Sequence, residues 1–308
     1  MLFMASYPWY LMIILPYTRR ELPGWGRLAG WLGVLGNQCD YRWTGAPTRT
    51  IRSTWHGYRM RLDLRNWSDR HTYFLGRYFD AETQLTLKRL LNPGDVLMDV
   101  GANIGMMTLL GADLVGSEGR VLSFEPNPES AGHVRFHLEL NGIDHVRLYA
   151  CALGSQEAVM RLHVSEGYSG SATLADVANR QGERFSREVD VPVRRGDDVL
   201  REAGLRASVV KIDAEGFEPY VLEGLERTLE QDRPAVLMEC VDRLLKPVGS
   251  SRSLLAKQME TMGYRGYDIR IERRTRLSFL PFDPASESSS EAVWLHREDN
   301  RNSLLHGG

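Results

Sequence analysis

The chain has 308 residues, of which 43% are hydrophobic, so it can bury one complete α/β core and still carry a terminal extension. With 38 basic and 40 acidic residues the formal net charge is −2, which argues against nucleic acid as a partner. The three cysteines, Cys39, Cys151 and Cys240, form no CxxC pair, so they exclude a disulfide-rich scaffold and fit a reducing, cytoplasmic compartment.

Residues 1–50 are predicted to form an apolar, aromatic extension with one helix between Arg27 and Leu35. Its apolar stretch, residues 10–15, is bracketed by prolines and is shorter than the roughly 20 residues that a bilayer helix needs. No basic segment precedes it as in a signal peptide. Two roles stay open for residues 1–31: shallow contact with a membrane, and packing against the rest of the chain or a dimer partner.

A strand over residues 55–64 and a helix over residues 81–91 are predicted next. The following apolar run ends in Asp99 and breaks into a turn that contains Gly101, Asn103 and Gly105, which predicts a strand, a tight loop and a helix start. Glycines allow positive φ and a close approach of backbone to ligand, and a helix N-terminus offers free N–H groups.

The strand over residues 120–124 ends in Glu125, about 25 residues after Asp99, the separation expected when a strand–helix–strand unit returns to the same sheet edge. A carboxylate at this point can accept hydrogen bonds from both hydroxyls of a ribose. Asn127 is followed by proline, which predicts an N-cap and a helix over residues 128–141.

The remaining segments alternate between strand and helix, as a doubly wound parallel sheet of seven strands requires. An inserted antiparallel hairpin is predicted over residues 158–193, around a Gly/Ser-rich loop at residues 165–171 that either closes over substrate or is a mobile hairpin. The other predicted elements are strands at 146–152, 209–213, 234–239, 266–271 and 292–296, and helices at 217–229 and 251–262.

Three of these segments resemble the FkbM family of S-adenosylmethionine-dependent methyltransferases. They are Asp99-Val-Gly-Ala-Asn-Ile-Gly105, Phe124-Glu-Pro-Asn127 and Lys211-Ile-Asp-Ala-Glu-Gly216. The resemblance implies a class I methyltransferase (Rossmann-like) fold over residues 51–298, with residues 299–308 as a C-terminal tail. It also implies S-adenosylmethionine as donor and O-methylation of a hydroxyl on a sugar, glycan or natural product. The chain departs from the family pattern before Asp197, so the resemblance does not predict the local geometry there.

The donor is a sulfonium cation with an amino acid on one side and a ribose and adenine on the other. Asp99 is expected to orient the glycine loop and to meet the donor's ammonium. Cys151 and Ala152, at the end of the predicted strand 146–152, are expected to lie near adenine. The predicted donor-binding residues are Asp99, Gly101, Asn103, Gly105, Glu125, Asn127, Cys151, Ala152 and Asp213.

Asp213 ends the strand beyond the switch point of the sheet, where ligands gather, so it is predicted to lie nearest the transferred methyl group. Either Asp213 or Glu215 is expected to take the acceptor's proton, with His71 as an outside candidate for that base. Two alternatives stay open: Asp213 only braces its loop, or Asp213, Glu215 and Glu239 hold a divalent cation.

Two other functions were weighed against a methyltransferase. A nicotinamide-dependent oxidoreductase also uses a glycine turn and a ribose carboxylate, but the turn here lacks the G-x-G-x-x-G spacing of dinucleotide sites. A non-catalytic S-adenosylmethionine-binding module is disfavoured because Asp99, Gly101 and Glu125 are all present. The predicted partner is therefore a hydroxylated small molecule or glycan.

Overall fold

The structure is a computed structural model that describes residues 8–36, 40–165, 172–175, 185–273, 276–286 and 289–302. The chain divides into two compact units, residues 1–81 and 82–308. The predicted loop at 165–171 lies outside the described residues except for Ser165, as do Cys39 and the end of the predicted tail. The predicted start of a methyltransferase domain at residue 51 stays a prediction.

The first unit is built around a buried arginine. The Arg70 guanidinium donates to the carbonyls of Val34 and Gly36, forms a 2.6 Å ion pair with Asp40, and lies over the Trp43 ring.

In the described part of the chain, no helix is both long enough and apolar enough to cross a bilayer. The elements of this unit are 3₁₀ turns at Trp9–Ile14 and Asp40–Arg42, helices α1 (Leu15–Arg19), α2 (Trp25–Trp31) and α3 (Trp67–Leu75), and strands β1 (Thr48–Arg52) and β2 (Arg59–Asp63).

One sequence prediction in this unit needs correction. The alternating segment at residues 55–64 is a strand only over β2, because residues 53–57 form the turn of a β1–β2 hairpin. The N–H of Gly57 donates to the carbonyl of Ser53, and Gly57 has a φ of +73°, a conformation that an extended strand excludes. The helix predicted between Arg27 and Leu35 is present as α2, shifted toward the N-terminus.

The second unit contains an eight-stranded sheet in the order β12-β11-β13-β10-β9-β3-β4-β5. Strands β10, β9, β3, β4 and β5 are parallel, and the strand order reverses between β3 and β9, so the predicted doubly wound α/β fold is confirmed. The strands are β3 (Val96–Val100), β4 (Arg120–Phe124), β5 (Val146–Tyr149), β6 (Ala152–Leu153), β7 (Ala158–Ser165), β8 (Phe185–Arg194), β9 (Val209–Ile212), β10 (Ala235–Glu239), β11 (Tyr264–Arg273), β12 (Arg276–Pro281) and β13 (Glu291–His296).

The helices of this unit lie close to their predicted positions. The predicted helix at 217–229 breaks at Leu225 into two, and Pro219 lies in the first turn, where proline is tolerated. The helices are α4 (Ala81–Leu90), α5 (Met106–Val115), α6 (Pro128–Asn141), α7 (Gly196–Ala203), α8 (Glu218–Gly224), α9 (Glu226–Gln231), α10 (Asp242–Leu245) and α11 (Arg252–Thr261), with a 3₁₀ turn at Lys246–Val248.

The strand count and one strand boundary differ from the prediction. The eighth strand is β12, an edge strand that pairs with β11 and buries only Leu277 and Phe279, a signal too short to separate it from a loop. The predicted strand at 146–152 divides after Tyr149, because β6 leaves the main sheet and pairs with β8. The β7–β8 antiparallel pairing confirms the predicted inserted hairpin.

Asp197, for which the resemblance predicts no geometry, organises the start of α9. Its carboxylate accepts hydrogen bonds from the backbone N–H of Arg227 and of Thr228 and from the Thr228 hydroxyl. These are first-turn N–H groups that have no partner within their own helix, so a remote side chain supplies the cap.

Parallel register brings three loops to one edge of the sheet. Val100 lies opposite Phe124 on β4 and Ile212 on β9, so the chain leaves all three strands at the same level. The residues that follow are the glycine turn, Glu125 and Asp213. The fold therefore gathers the predicted donor-binding segments at the carboxyl ends of neighbouring strands, where α/β sheets bind ligands.

The fold predicts an uneven cost of breaking ion pairs. The buried Arg252 guanidinium donates to the carbonyls of Cys240 and Ser289 and forms a 2.8 Å pair with the buried Asp268. We expect Arg252→Met to lower the free energy of unfolding by about 3–5 kcal/mol, because Asp268 loses its counter-charge in the interior. The matched control is Arg206→Ala, which removes the exposed pair with Asp232 and should cost about 0–1 kcal/mol. Urea unfolding of both variants checks this, and equal costs would contradict it.

Candidate functional site

The glycine loop between β3 and α5 is held in conformations that few side chains tolerate. Gly101, Asn103 and Gly105 all have positive φ, at +74°, +49° and +87°. A Cβ on Gly101 would lie 1.7 Å from the backbone oxygen of Asp213, so only glycine lets these two loops touch. Asn103 is not a glycine, yet its backbone is in the left-handed region. Such residues are often found in functional loops.

Glu125 joins the glycine loop to the turn that follows β4. One carboxylate oxygen accepts from the N–H of Asn103 at 2.7 Å and the other from the N–H of Asn127 at 2.8 Å. Each oxygen keeps a further lone pair, so the carboxylate can still accept from a hydroxyl. Burial raises the pKa of Glu125 to about 7.

Asn127 provides the observation that tests whether a nucleoside-type group fits here. Its side-chain oxygen accepts from the N–H of Glu129 and so caps α6, which leaves the amide nitrogen as donor. That nitrogen is buried and has no hydrogen-bond partner in the described part of the chain. An unsatisfied buried donor costs about 1–3 kcal/mol, and a polar ligand beside Glu125 would relieve that cost. The residues present therefore fit such a ligand.

Lys211, on β9, connects the glycine loop to the loop after β9. Its buried ammonium donates to the carbonyl oxygen of Gly101 at 2.9 Å and lies 3.4 Å from carboxylate oxygens of both Asp99 and Asp213. Burial opposes the charge, but the two carboxylates raise the pKa of Lys211 above its ordinary value. The lysine is therefore a buried cation shared by two strand tips.

Asp99 is fully buried, and its second oxygen accepts from the Thr108 hydroxyl of α5 at 2.6 Å. Both oxygens thus face protein groups, Lys211 on one side and Thr108 on the other. This geometry fits the predicted role of orienting the loop. The predicted contact with the donor's ammonium stays a prediction.

The loop after β9 is also closely constrained. Glu215 has a φ of +52°, and the buried Glu218 carboxylate accepts from the N–H groups of Ala214 and Gly216. Burial raises the pKa of Glu218 to about 7. Asp213 donates its N–H to the carbonyl of Val100, and its side chain stays 40% exposed. Of the carboxylates in this loop, Glu218 is buried, whereas Asp213 and Glu215 are both partly exposed.

Glu239 ends β10 and adjoins this loop, because β10 pairs with β9 in parallel. Its Oε2 atom is buried and makes no hydrogen bond to any described residue. Burial and then the charges of Asp213 and Glu215 raise the pKa of Glu239 well above its ordinary range. Within the described ranges, no three His, Cys, Asp or Glu residues are arranged to hold a metal ion. A divalent cation on Asp213, Glu215 and Glu239 stays a prediction.

Strand β5 ends at Tyr149 rather than at the predicted residue 152, so Tyr149 is the residue of β5 that contacts Glu125. The carbonyl of Tyr149 accepts from the N–H of Glu125, and the Tyr149 ring stacks on Phe124 at 5.0 Å. Cys151 and Ala152 lie beyond this tip, at the start of β6, and both are buried. Burial raises the pKa of the Cys151 thiol to about 11. Their contact with adenine stays a prediction.

His71 lies in α3 of the first unit, with its ring stacked 5.6 Å from that of Phe79. Burial, followed by the charges of Arg77 and Arg70, lowers the pKa of His71 to about 4. A histidine with this pKa is neutral at pH 7 and a weak proton acceptor. Its role as a base stays a prediction.

Three residues that shape this site have no role predicted from the sequence: Lys211, Glu218 and Thr108. For Lys211 a signal was available, because a lysine inside an otherwise apolar buried strand needs a counter-charge. Glu218 and Thr108 gave no such signal, since each lies in an ordinary helical stretch.

The fold and the site together define a class of protein: doubly wound α/β proteins that bind a ligand containing a nucleoside. The Methyltransferase FkbM domain family matches residues 99–265, more than half of the chain. The chain therefore belongs to the FkbM family of S-adenosylmethionine-dependent methyltransferases, and the resemblance stated from its motifs is confirmed.

Two curated relatives are similar to part of the chain. "Methyltransferase 1" of Beauveria bassiana (strain ARSEF 2860) is 26% identical over 192 residues, which cover 58% of this chain and 74% of that protein. "31-O-demethyl-FK506 methyltransferase FkbM" of Streptomyces tacrolimicus is 31% identical over 164 residues, which cover 44% of this chain and 61% of that protein. The match thus spans about six tenths of the length of the Streptomyces enzyme.

Two solved structures are also similar. Methyltransferase FkbM from Methylobacillus flagellatus KT is 11% identical with a TM-score of 0.40, over 89% of this chain and 60% of that one. An S-adenosylmethionine-dependent O-methyltransferase from Thermotoga maritima is 12% identical with a TM-score of 0.39, over 82% of this chain and 87% of that one.

The contact between the two loops predicts a strict requirement for glycine. We expect Gly101→Ala to weaken the binding of S-adenosylmethionine at least 100-fold, because the new Cβ must push the Asp213 carbonyl away. The matched control is Gly132→Ala in α6, where a Cβ meets nothing within 4 Å. Calorimetric titration of both variants gives the comparison. Unchanged binding by Gly101→Ala would show that the loop contact is unimportant.

Proposed function

We propose that the chain is an S-adenosylmethionine-dependent O-methyltransferase that acts on a hydroxyl of a sugar, glycan or natural product. The observation that carries the donor assignment is Glu125, a buried carboxylate at the tip of β4 that is fixed by the N–H groups of both adjoining loops. A relative named for O-methylation of a natural product supports the choice of oxygen as the methylated atom.

The residues of the site have distinct tasks in this proposal. S-adenosylmethionine, when bound, would supply the methyl group from its sulfonium sulfur, and transfer to the acceptor hydroxyl would leave S-adenosylhomocysteine, a methyl ether and a proton. Glu125 accepts from the ribose hydroxyls, and Asn127 offers its buried amide donor beside them. Gly101 and Gly105, both at positive φ, would shape the turn that receives the methionine portion, and Lys211 fixes that turn through its hydrogen bond to the Gly101 carbonyl.

Asp213 is the group that we propose takes the acceptor's hydroxyl proton, with Glu215 as the alternative. Asp213 is half-exposed at the end of β9, and a general base needs access to the proton that it removes. The neighbouring Lys211 ammonium lies 3.4 Å from the Asp213 carboxylate and supplies its counter-charge. A wild-type rate of methyl transfer in Asp213→Asn would exclude Asp213 as the base.

We also propose that the acceptor is a hydroxylated small molecule or glycan and that the protein acts in the cytoplasm. Contact of residues 1–31 with a membrane or with a dimer partner stays a prediction. In the first unit, Trp9, Ile13 and Trp31 are exposed, which is compatible with either contact.

Donor binding tests this proposal against the oxidoreductase alternative. We expect calorimetric titration to give micromolar binding of S-adenosylmethionine and no binding of NAD. Glu125→Gln should weaken the first at least tenfold, because a glutamine amide cannot accept from both loop N–H groups and the ribose. The matched control is Glu129→Gln, a mostly exposed carboxylate on α6 that should change nothing. Binding of NAD alone by the folded protein would overturn the proposal.

The raised pKa of Glu125 predicts that donor affinity falls in acid. The ribose hydroxyls need the carboxylate, so affinity should be constant above the Glu125 pKa of about 7 and fall toward tenfold per pH unit below it. Titrations from pH 5.5 to 8 should show this break in the wild-type chain and a flatter profile in Glu125→Gln. The same break in both proteins would assign the titration to another acid, such as Glu218.

A further inference from the structure

A cavity of about 330 Å³ lies beside the loop that follows β9, under the inserted β7–β8 hairpin. Its walls come from five places: the hairpin strands, residues 174–175 between them, the residues after β6, the start of α8 and the 3₁₀ turn after α10. The side chains that enclose it include Met160, Leu174, Val193, Phe217, Tyr220 and Val248. The cavity is partly open to solvent, so it is a cleft that a ligand can enter from the surface.

Two wall residues of the cavity are connected to the loop that carries the proposed proton acceptor. Phe217 forms part of its wall and follows the Asp213–Gly216 loop directly, and the Phe217 N–H donates to the carbonyl of Ala214. On the other side the Thr173 hydroxyl donates to the carbonyl of Glu215 at 2.8 Å. The wall residue Leu174 follows Thr173 in the chain. Both walls are thus attached to the loop that carries the two candidate bases.

The chemistry of the wall restricts what the cavity can hold. Among the residues that the structure describes, no side chain lining the cavity is charged at neutral pH, and the polar side chains there are Ser155, Gln156 and Tyr220. Phe217 and Tyr220 present two tilted rings 4.6 Å apart. A charged group would lose its hydration here without gaining a counter-charge, whereas an aromatic or apolar group would find matching contacts.

The volume sets the size of the occupant. A cavity of about 150 Å³ lined by apolar side chains binds benzene, so about 330 Å³ accommodates a group of two rings. We infer that this cavity binds the acceptor, and that the acceptor carries an uncharged, apolar group of about two rings next to its hydroxyl. The inference rests on the proposed function and favours a ring-bearing natural product over a plain sugar.

The test uses 2-naphthol, an uncharged two-ring alcohol, as probe on the full chain saturated with S-adenosylhomocysteine. Fluorescence titration should give binding at least tenfold tighter than that of 6-hydroxy-2-naphthoate, its carboxylate-bearing counterpart, and of methyl glucoside. Val248→Trp should weaken naphthol binding at least tenfold by filling the cavity from the 3₁₀ turn. The matched control is Val159→Trp on β7, a 73% exposed position beside the wall residue Met160, which should stay within twofold of the wild type.

A second variant keeps the test decisive if Val248→Trp does not fold. Tyr220→Ala removes one of the two wall rings at a half-buried position and should weaken naphthol binding at least threefold. Tight binding of S-adenosylmethionine with no naphthol binding, or with equal binding of the charged analogue, would overturn the inference and leave the proposed function standing. Failure to bind S-adenosylmethionine would instead overturn the proposed function, and naphthol binding would then mark the cavity alone.

Discussion

The site depends on one buried cation held between two strand tips. Lys211 lies on β9, yet its ammonium donates to the carbonyl of Gly101 after β3 and is shared between Asp99 and Asp213. Without that charge, the carboxylates of Asp99 and Asp213 would have no counter-charge between them. The Gly101 carbonyl would also lose its hydrogen-bond donor. The close approach of Gly101 to the Asp213 carbonyl is the steric counterpart of the same arrangement. The lysine and this close contact together fix the loop after β3 relative to the loop after β9.

A second consequence concerns the charge of the site before the donor binds. Burial raises the pKa of Glu125 and of Glu218 to about 7, and that of Glu239 well above its ordinary range. The site therefore holds acids whose ionised forms are costly until a positive charge arrives. A sulfonium donor brings that charge, and its binding favours the carboxylate forms. The inserted hairpin and its uncharged cavity then provide the contrasting environment in which we place the acceptor.

Much of this could be predicted from the sequence, because the main signals are local. Strand β4, helix α6 and the N-cap at Asn127 agree with the pattern of apolar residues, proline and capping side chain. Gly101 and Glu125 could be identified because each directly follows the last residue of a strand. Lys211 and Glu218 received no role, since their partners are 110 residues away or are backbone groups of a turn. The edge strand β12 was missed because only two of its side chains are buried.

A double-mutant cycle on Lys211 and Asp213 tests the central claim most directly. Calorimetric affinities for S-adenosylmethionine would be measured for Lys211→Met, Asp213→Asn and the double variant. If the lysine organises the site by neutralising its carboxylates, Lys211→Met weakens binding at least tenfold, and Asp213→Asn recovers part of that loss, with a coupling of about 1 kcal/mol or more. Wild-type affinity in Lys211→Met, or losses that add within about 0.5 kcal/mol, would contradict the account.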